Sequence, residues 1–281
     1  MKEIKIARKV IGKDAIRYIL LLKDNNIIEA VSFSYKGTAL CISSQVGCPV
    51  KCVLCRTGQD PFRRNLSARE IIEEVFVISK DLGKKIDVIS FMGMGAPLLN
   101  YENVVEAVRF FLNFPTLNTV KILLSTVGIP EKIYALAKEN LPISLYFSLH
   151  AVTDEKRSKL IPISYSLKEI FEALNYYDSR INADEPLTIV YLLLKGINDS
   201  KDDLRGLFKL LKLIKSRNFH VILKNYCHTG LPFEKSPNLK LFVEALEKAH
   251  ISYRISDSYG QDIEGGCGQL RQRILSSEEL T

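Results

Sequence analysis

Three cysteines, Cys48, Cys52 and Cys55, stand in a C-x3-C-x2-C run. Thiolates are soft ligands, and three in one short loop can hold three irons of a cubane cluster. The fourth iron is then open to bind and reduce another molecule. Ferredoxin-type clusters take four cysteines and zinc ribbons take two pairs, so the spacing fits neither. Three unrelated thiols, or a zinc knuckle with a distant ligand, is the alternative. Two more cysteines lie outside the triad. Cys267 sits in Gly265-Gly266-Cys267-Gly268, a run that cannot be helix interior and lets backbone approach a ligand closely. Cys41 precedes Cys48 by seven residues. Taken alone, either is a small buried hydrophobe.

The elements that must position these thiols alternate. Short apolar runs predict strands at 39–43, 86–92, 120–125, 143–148, 187–194, 220–224 and 251–255. Helical patterns fall between them at 67–82, 102–113, 130–139, 167–179, 201–216 and 238–249. Ser67 with Glu70, and Ser166 with Glu169, read as capping boxes ahead of apolar stripes. Strand–helix alternation predicts a parallel sheet covered by helices: an α/β fold, a partial (β/α)6 barrel of TIM type. The triad follows the first such strand, at the C-terminal face where barrel chemistry sits. The segments 16–22 and 27–33, separated by Asp24-Asn25-Asn26, read as a hairpin capping one end. No linker stands out. The expected organisation is one compact domain, residues 37–281, with a small extension at 1–36.

Composition narrows the function classes. Over 281 residues, 47% hydrophobic and 25% charged excludes a disordered chain, a collagen-like fibre and a small disulfide scaffold. The net charge of +7 favours anionic partners, nucleic acid first, although such a charge is also common in proteins that bind none. No apolar run reaches transmembrane length and no secretory signal opens the chain, so the expectation is a cytoplasmic protein with no membrane role. In that reducing compartment six cysteines point to metal binding or chemistry before structural bridges.

The triad after a first barrel strand resembles radical S-adenosylmethionine (SAM) enzymes. The segments TALCISSQVGCPVKCVLCRTGQDPFRRNLSAREIIEEV, FMGMGAPLLNYENVV, LLSTVGIPEKI, LYFSLHAVTDEKRSKLIPI, YLLLKGINDS and GQDIEGGCGQL resemble, in order, the RlmN/Cfr-type family that methylates adenine carbons in RNA. The resemblance implies a [4Fe-4S] cluster on Cys48, Cys52 and Cys55 and two SAM molecules per turnover. It implies that Cys267 takes a methyl group from one SAM. A radical from the second SAM then activates that methyl, which adds to the adenine carbon. Cys41 is the implied second catalytic cysteine, ending as a disulfide with Cys267. Glu29 falls at the place of a family proton acceptor; a solvated loop carboxylate is its other reading. Gly93, Gly95, Ala96 and Pro97 in GMGAP, then Ser125, the Ser148-Leu149-His150 motif and Asn225, match SAM contacts at strand ends. A lone histidine at a strand end is otherwise structural. The implied partners are 23S rRNA or tRNA and a reductant such as flavodoxin or ferredoxin, with the protein a monomer.

The sequence departs from the family at several places. Ala96 replaces a glutamate that receives the SAM ammonium, a contact on the order of 1.5–3 kcal/mol. An N-terminal helical domain that helps grip RNA is expected to be missing. The loop NYCHTGLPFEKS replaces a proline-rich run, with Cys227 and His228 read as structural, and Tyr259 replaces an arginine. Arg56, Arg63, Arg64, Arg271 and Arg273 read either as phosphate contacts near the barrel mouth or as a solvated charged face. Methylation at adenine C2 is the expected activity. The alternatives are the same chemistry at C8, on a small RNA or on a free heterocycle, and a non-catalytic iron–sulfur or RNA-binding descendant.

Overall fold

The structure, a computed structural model, describes residues 4–117, 119–181, 186–216, 218–256 and 258–272. It divides into two compact units: Met1–Lys51 with Cys55–Leu124 and Tyr259–Thr281, and Cys52–Leu54 with Ser125–Ser258.

The first unit opens with an antiparallel meander, β1 (Ile4–Ile11), β2 (Ala15–Leu22), β3 (Ile27–Ser34) and β4 (Thr38–Cys41). The predicted hairpin exists as β2–β3. It lies edge-on in the sheet through the β3–β4 pairing instead of capping an end, and β1 adds a third strand. A two-residue ladder, β5 (Gln45–Val46) with β6 (Arg64–Asn65), closes the cysteine loop and its short helix α1 (Arg56–Gln59). Helix α2 (Ala68–Leu82) follows, then β7 (Val88–Phe91), α3 (Tyr101–Asn113) and β8 (Lys121–Thr126). Strands β4, β7 and β8 are parallel. Both halves of the Ser67–Glu70 capping box form at the start of α2. Ile71, Val75 and Ile78 recur on one face of that helix and are fully buried. Each such burial stabilises by roughly 1.5–3 kcal/mol.

The second unit continues with α4 (Pro130–Lys138), β9 (Ile143–Ser148), α5 (Asp154–Leu160), α6 (Leu167–Asp178), β10 (Leu187–Leu193), α7 (Lys201–Leu211), β11 (Phe219–Asn225), α8 (Leu239–Lys248) and β12 (Tyr253–Ser256). Strands β9 to β12 are parallel neighbours in sequence order. Their residues are buried on both faces, as helix-covered parallel strands require. The Ser166–Glu169 capping box also forms. Helix α5 was not expected from periodicity. Its seven residues are mostly charged, and only Arg157 and Leu160 are buried. Among the described residues no helix is long and apolar enough to cross a membrane.

Candidate active site

In the first unit Cys41 ends β4, half-buried, paired with Val31 on β3 and Ser90 on β7. The chain beyond it is held by a relay of hydrogen bonds. Ser43 N–H donates to both carboxyl oxygens of Glu74 (3.1 and 3.3 Å), and Ser43 Oγ donates to the Glu29 carbonyl at 2.7 Å. Met94 N–H in turn donates to Ser43 Oγ at 3.0 Å. Complete burial pushes the Glu74 carboxyl well above the usual carboxylate range, against the Ser43 N–H that favours its charge. The Gly93–Ala96 turn thereby folds back on residues 42–45. Gly95 is required there: its φ is +103°, and a Cβ would stand 2.7 Å from both Gln45 Cβ and Ser44 Oγ. Ala96 is buried, and its N–H donates to Gln45 Oε1 at 2.8 Å.

Glu29 is no solvated loop carboxylate. It lies on β3 with its side chain fully buried, accepting the Arg271 N–H at 2.9 Å and facing Arg17 Nη1 at 3.5 Å. Glu264 bridges Arg17 (3.5 Å) and Arg271 (3.7 Å). The segment carrying Cys267 is therefore tied to β2 and β3 on both sides of the cysteine. Cys267 itself is exposed, on a turn closed by Gln269, whose N–H donates to the Gly266 carbonyl and whose Oε1 accepts the Gly266 N–H.

Cys48 and Cys55 are set differently. Burial pushes the Cys48 thiol up to about 11, with the Cys55 charge adding to it, while Val50 and Lys51 N–H groups donate toward its sulfur. Burial also raises Cys55, opposed by donors from Gly58 and Thr57 and reinforced by the charge of Cys267. A buried thiol that resists ionisation and has N–H donors trained on its sulfur suits a thiolate compensated by iron. Hydrogen bonds to sulfur are among the means by which proteins tune such clusters. Among the described residues no group of three Cys, His, Asp or Glu side chains could hold a metal ion. A cubane spreads its thiolates over separate irons, so convergence on one ion is not what the triad needs.

Cys52 belongs to the second unit, on a segment pinned where Val53 N–H donates to the Leu160 carbonyl at 3.1 Å. The dominant polar group of this unit is Arg157. It is buried against the Phe147 ring at 5.2 Å, with Nε donating to the Leu149 carbonyl (3.1 Å) and Nη2 to the carbonyls of Ser148 (3.0 Å) and Val127. Burial lowers its pKa to about 10, and the charges of Cys52 and Asp154 oppose that fall. Ser125 and Ser148 hydroxyls lie 3.4 Å apart at the ends of β8 and β9. His150 is buried in a left-handed conformation (φ +56°), its Nδ1 accepting the Leu192 N–H at 3.1 Å. Burial, then the charges of Arg157 and Lys224, lowers its pKa to about 3, so the ring is neutral. Asn225 ends β11, buried.

Sequence reading passed over Arg157 and Glu74. Arg157 stands inside a quoted segment, but its run of Asp, Glu and Lys reads as solvated surface. Arg64 is corrected: it pairs with Asp24 (2.6 Å) and Glu70 (2.8 Å), so it is no spare phosphate contact. Tyr259 stacks on Phe33 with centroids 4.6 Å apart, Cys227 is buried, and Arg273 lies outside the described residues.

Residues 42–211 match the family described as the Radical SAM superfamily. A protein of Pseudothermotoga lettingae named "Probable dual-specificity RNA methyltransferase RlmN" is 44% identical over 94% of this chain and 78% of its own length. The chain belongs to the RlmN family of radical SAM methyltransferases. A second RlmN relative, from Thermotoga neapolitana, is 39% identical over 98% of this chain and 81% of its own. The crystal structure of a radical SAM methyltransferase from Sphaerobacter thermophilus superposes with a TM-score of 0.87 at 31% identity, covering 96% of this chain and 82% of that one. As a member of the RlmN family the chain is a methyltransferase with the radical SAM α/β fold, and its cofactors are a [4Fe-4S] cluster and SAM.

Proposed function

We propose that this enzyme methylates C2 of an adenine in RNA, 23S rRNA or tRNA, and that Cys267 carries the methyl group. The observation that carries the reading is the placement of Cys267: exposed, on a glycine-flanked turn whose Gly268 carbonyl accepts the N–H of Arg56, the residue after Cys55, at 2.8 Å. The names of relatives matched over nearly the whole chain support the RNA substrate.

Cys48, Cys52 and Cys55 would hold the cluster, and Gly95, Ala96, Ser125, Ser148, Leu149, His150 and Asn225 would supply contacts to SAM. Together these cofactors supply a methyl group and, from a second SAM, the radical that activates it. The protein's own residues do the rest. Adenine C2 is an electrophilic amidine carbon, so plain displacement on SAM cannot methylate it, and a covalent carrier is needed. Cys267 as thiolate takes the methyl by displacement; its exposure keeps the sulfur reachable. Glu29 accepts the proton that leaves C2, and Arg17 beside it stabilises its carboxylate before transfer. Cys41 as thiolate attacks the Cys267 sulfur of the protein–RNA adduct: the S–CH2 bond breaks, its electron pair leaves on the methylene carbon, which takes up a proton and becomes the methyl group of the product, and the two sulfurs close a disulfide. His150 holds its strand end by accepting the Leu192 N–H, so its ring is a positioning group. Flavodoxin or ferredoxin delivers the electron, and the enzyme acts as a monomer.

The test is mass spectrometry of protein purified anaerobically with SAM. The Cys267 peptide is expected heavier by one methylene unit, and unshifted in Cys267→Ala. An unmodified peptide in protein with cluster and SAM bound rejects the carrier role.

A further inference from the structure

The 60–63 loop carries an exposed aromatic residue and an exposed arginine at consecutive positions. Phe62 is 39% exposed and Arg63 is exposed. We propose that Phe62 and Arg63 form the docking edge for a single-stranded stretch of the RNA substrate, the ring stacking on a base and the guanidinium pairing with a phosphate. The proposal rests on the RNA reading above.

The loop is fastened, not floppy. Asp60 accepts the Gln272 N–H at 2.6 Å, Gln272 Nε2 donates to the Pro61 carbonyl at 2.9 Å, and Arg63 N–H donates to the Val46 carbonyl at 2.9 Å. Gly47, at φ +77°, admits the loop: a Cβ there would lie 2.4 Å from the Pro61 carbonyl oxygen and 3.0 Å from Phe62 Cα. The backbone is thus fixed where the Phe62 ring stands out in solvent. An exposed ring on so fixed a backbone is a stacking platform that costs little backbone ordering on binding.

The anchors also place the edge. Gln272 follows Cys267 by five residues, and Gly47 immediately precedes Cys48. Arg56 N–H donates to the Gly268 carbonyl at 2.8 Å, bringing a second guanidinium to the same segment. The charges are sorted. Arg64 is spent on Asp24 and Glu70, whereas the side chains of Arg56 and Arg63 have no hydrogen bond or ion pair among the described residues. The open Arg63 guanidinium next to an open ring, with half-buried Arg56 on the adjoining segment, fits the recognition of unpaired RNA, where bases splay onto aromatic faces and arginine meets phosphate. The net charge of +7 points to the same polyanion.

The experiment is fluorescence anisotropy of end-labelled 23S rRNA-fragment and tRNA transcripts on the cluster-loaded enzyme across a salt series. Phe62→Ala is expected to bind about 5- to 100-fold more weakly with an unchanged salt slope, and Phe62→Trp to restore affinity. Arg63→Gln is expected to lower the salt slope by about one. Iron content and RNA-free SAM cleavage should match wild type in all three. Wild-type RNA affinity in both Phe62→Ala and Arg63→Gln, with the parent enzyme methylating RNA, overturns the docking edge and leaves the RNA reading intact. A parent enzyme that binds no RNA overturns both. Lost iron or lost RNA-free cleavage in Phe62→Ala assigns the ring to the fold and rejects the proposal.

Discussion

The two units hold their chemistry on different supports. In the first, Glu29 and Cys41 ride on β3 and β4, but Cys48, Cys55 and Cys267 lie on loops, and the Glu74–Ser43 relay and the Arg17–Glu264–Arg271 pairs fasten the irregular segments around residues 42–45 and 264–271. In the second, the polar groups stand at the ends of parallel strands, and one buried arginine gathers three carbonyls. Loops suit groups that must be reached, and Cys267 on its loop is exposed; strand ends suit groups that must stay still. The contrast recurs within the first unit. Cys48 and Cys55 are raised by burial and fed by N–H donors, whereas Cys267 is open to solvent. The same side chain is donor-fed and shielded in one place and open to solvent in another.

Three substitutions probe that contrast. The largest effect is expected from Cys55→Ala. It removes a proposed iron ligand, so iron content after anaerobic reconstitution should fall sharply and methylation should vanish; full cluster occupancy would show that Cys55 is structural. Next is Arg157→Lys. Lysine keeps the charge but cannot fork to three carbonyls. Each buried carbonyl left bare costs about 1–3 kcal/mol. Stability by denaturant titration is expected to drop by about 3 kcal/mol, and the KM for SAM to rise more than kcat falls. An unchanged midpoint would mean that the strand ends hold themselves.

The smallest effect is a pH dependence. The ordinary histidine value is 6.5 and that of His150 is about 3. Between the two, the unfolded chain takes up a proton that the folded one refuses. The stability contributed by the neutral ring is thus complete above about pH 6.5 and is lost as pH falls toward 3. His150→Asn keeps an acceptor for Leu192 and tolerates the left-handed backbone, but cannot titrate. The slope of stability between pH 7 and 4, followed by thermal unfolding, should be shallower by on the order of 1 kcal/mol per pH unit. Parallel curves for the two proteins would remove His150 from the acid response.

Much of the fold was legible because its signals are local. Ser67 with Glu70 and Ser166 with Glu169 are three residues apart, and both capping boxes form. The strand–helix alternation follows from apolar runs that lie within single windows. The short α5 escaped for the converse reason: its charged residues carry no apolar stripe, and burial of Arg157 supplies what periodicity lacked. The hairpin was legible as a hairpin, but where it docks was not, because the β3–β4 pairing depends on strands each of which could pair elsewhere.

By itself the sequence determined which residues can do chemistry: the thiol triad, the glycine-flanked Cys267, the family to which these belong, and the elements that bear them. Only tertiary structure decided the state of each group. Glu29 reads equally well as a proton acceptor or a solvated loop carboxylate until the Arg271 N–H, 242 residues away, is found on its buried carboxylate. Arg64 reads as a free cation until Asp24 and Glu70 are seen to hold it, while its neighbour Arg63 is left to solvent. The physical reason is common to both. A side chain's type is a local property, but its burial, charge and freedom depend on partners that folding brings from far along the chain.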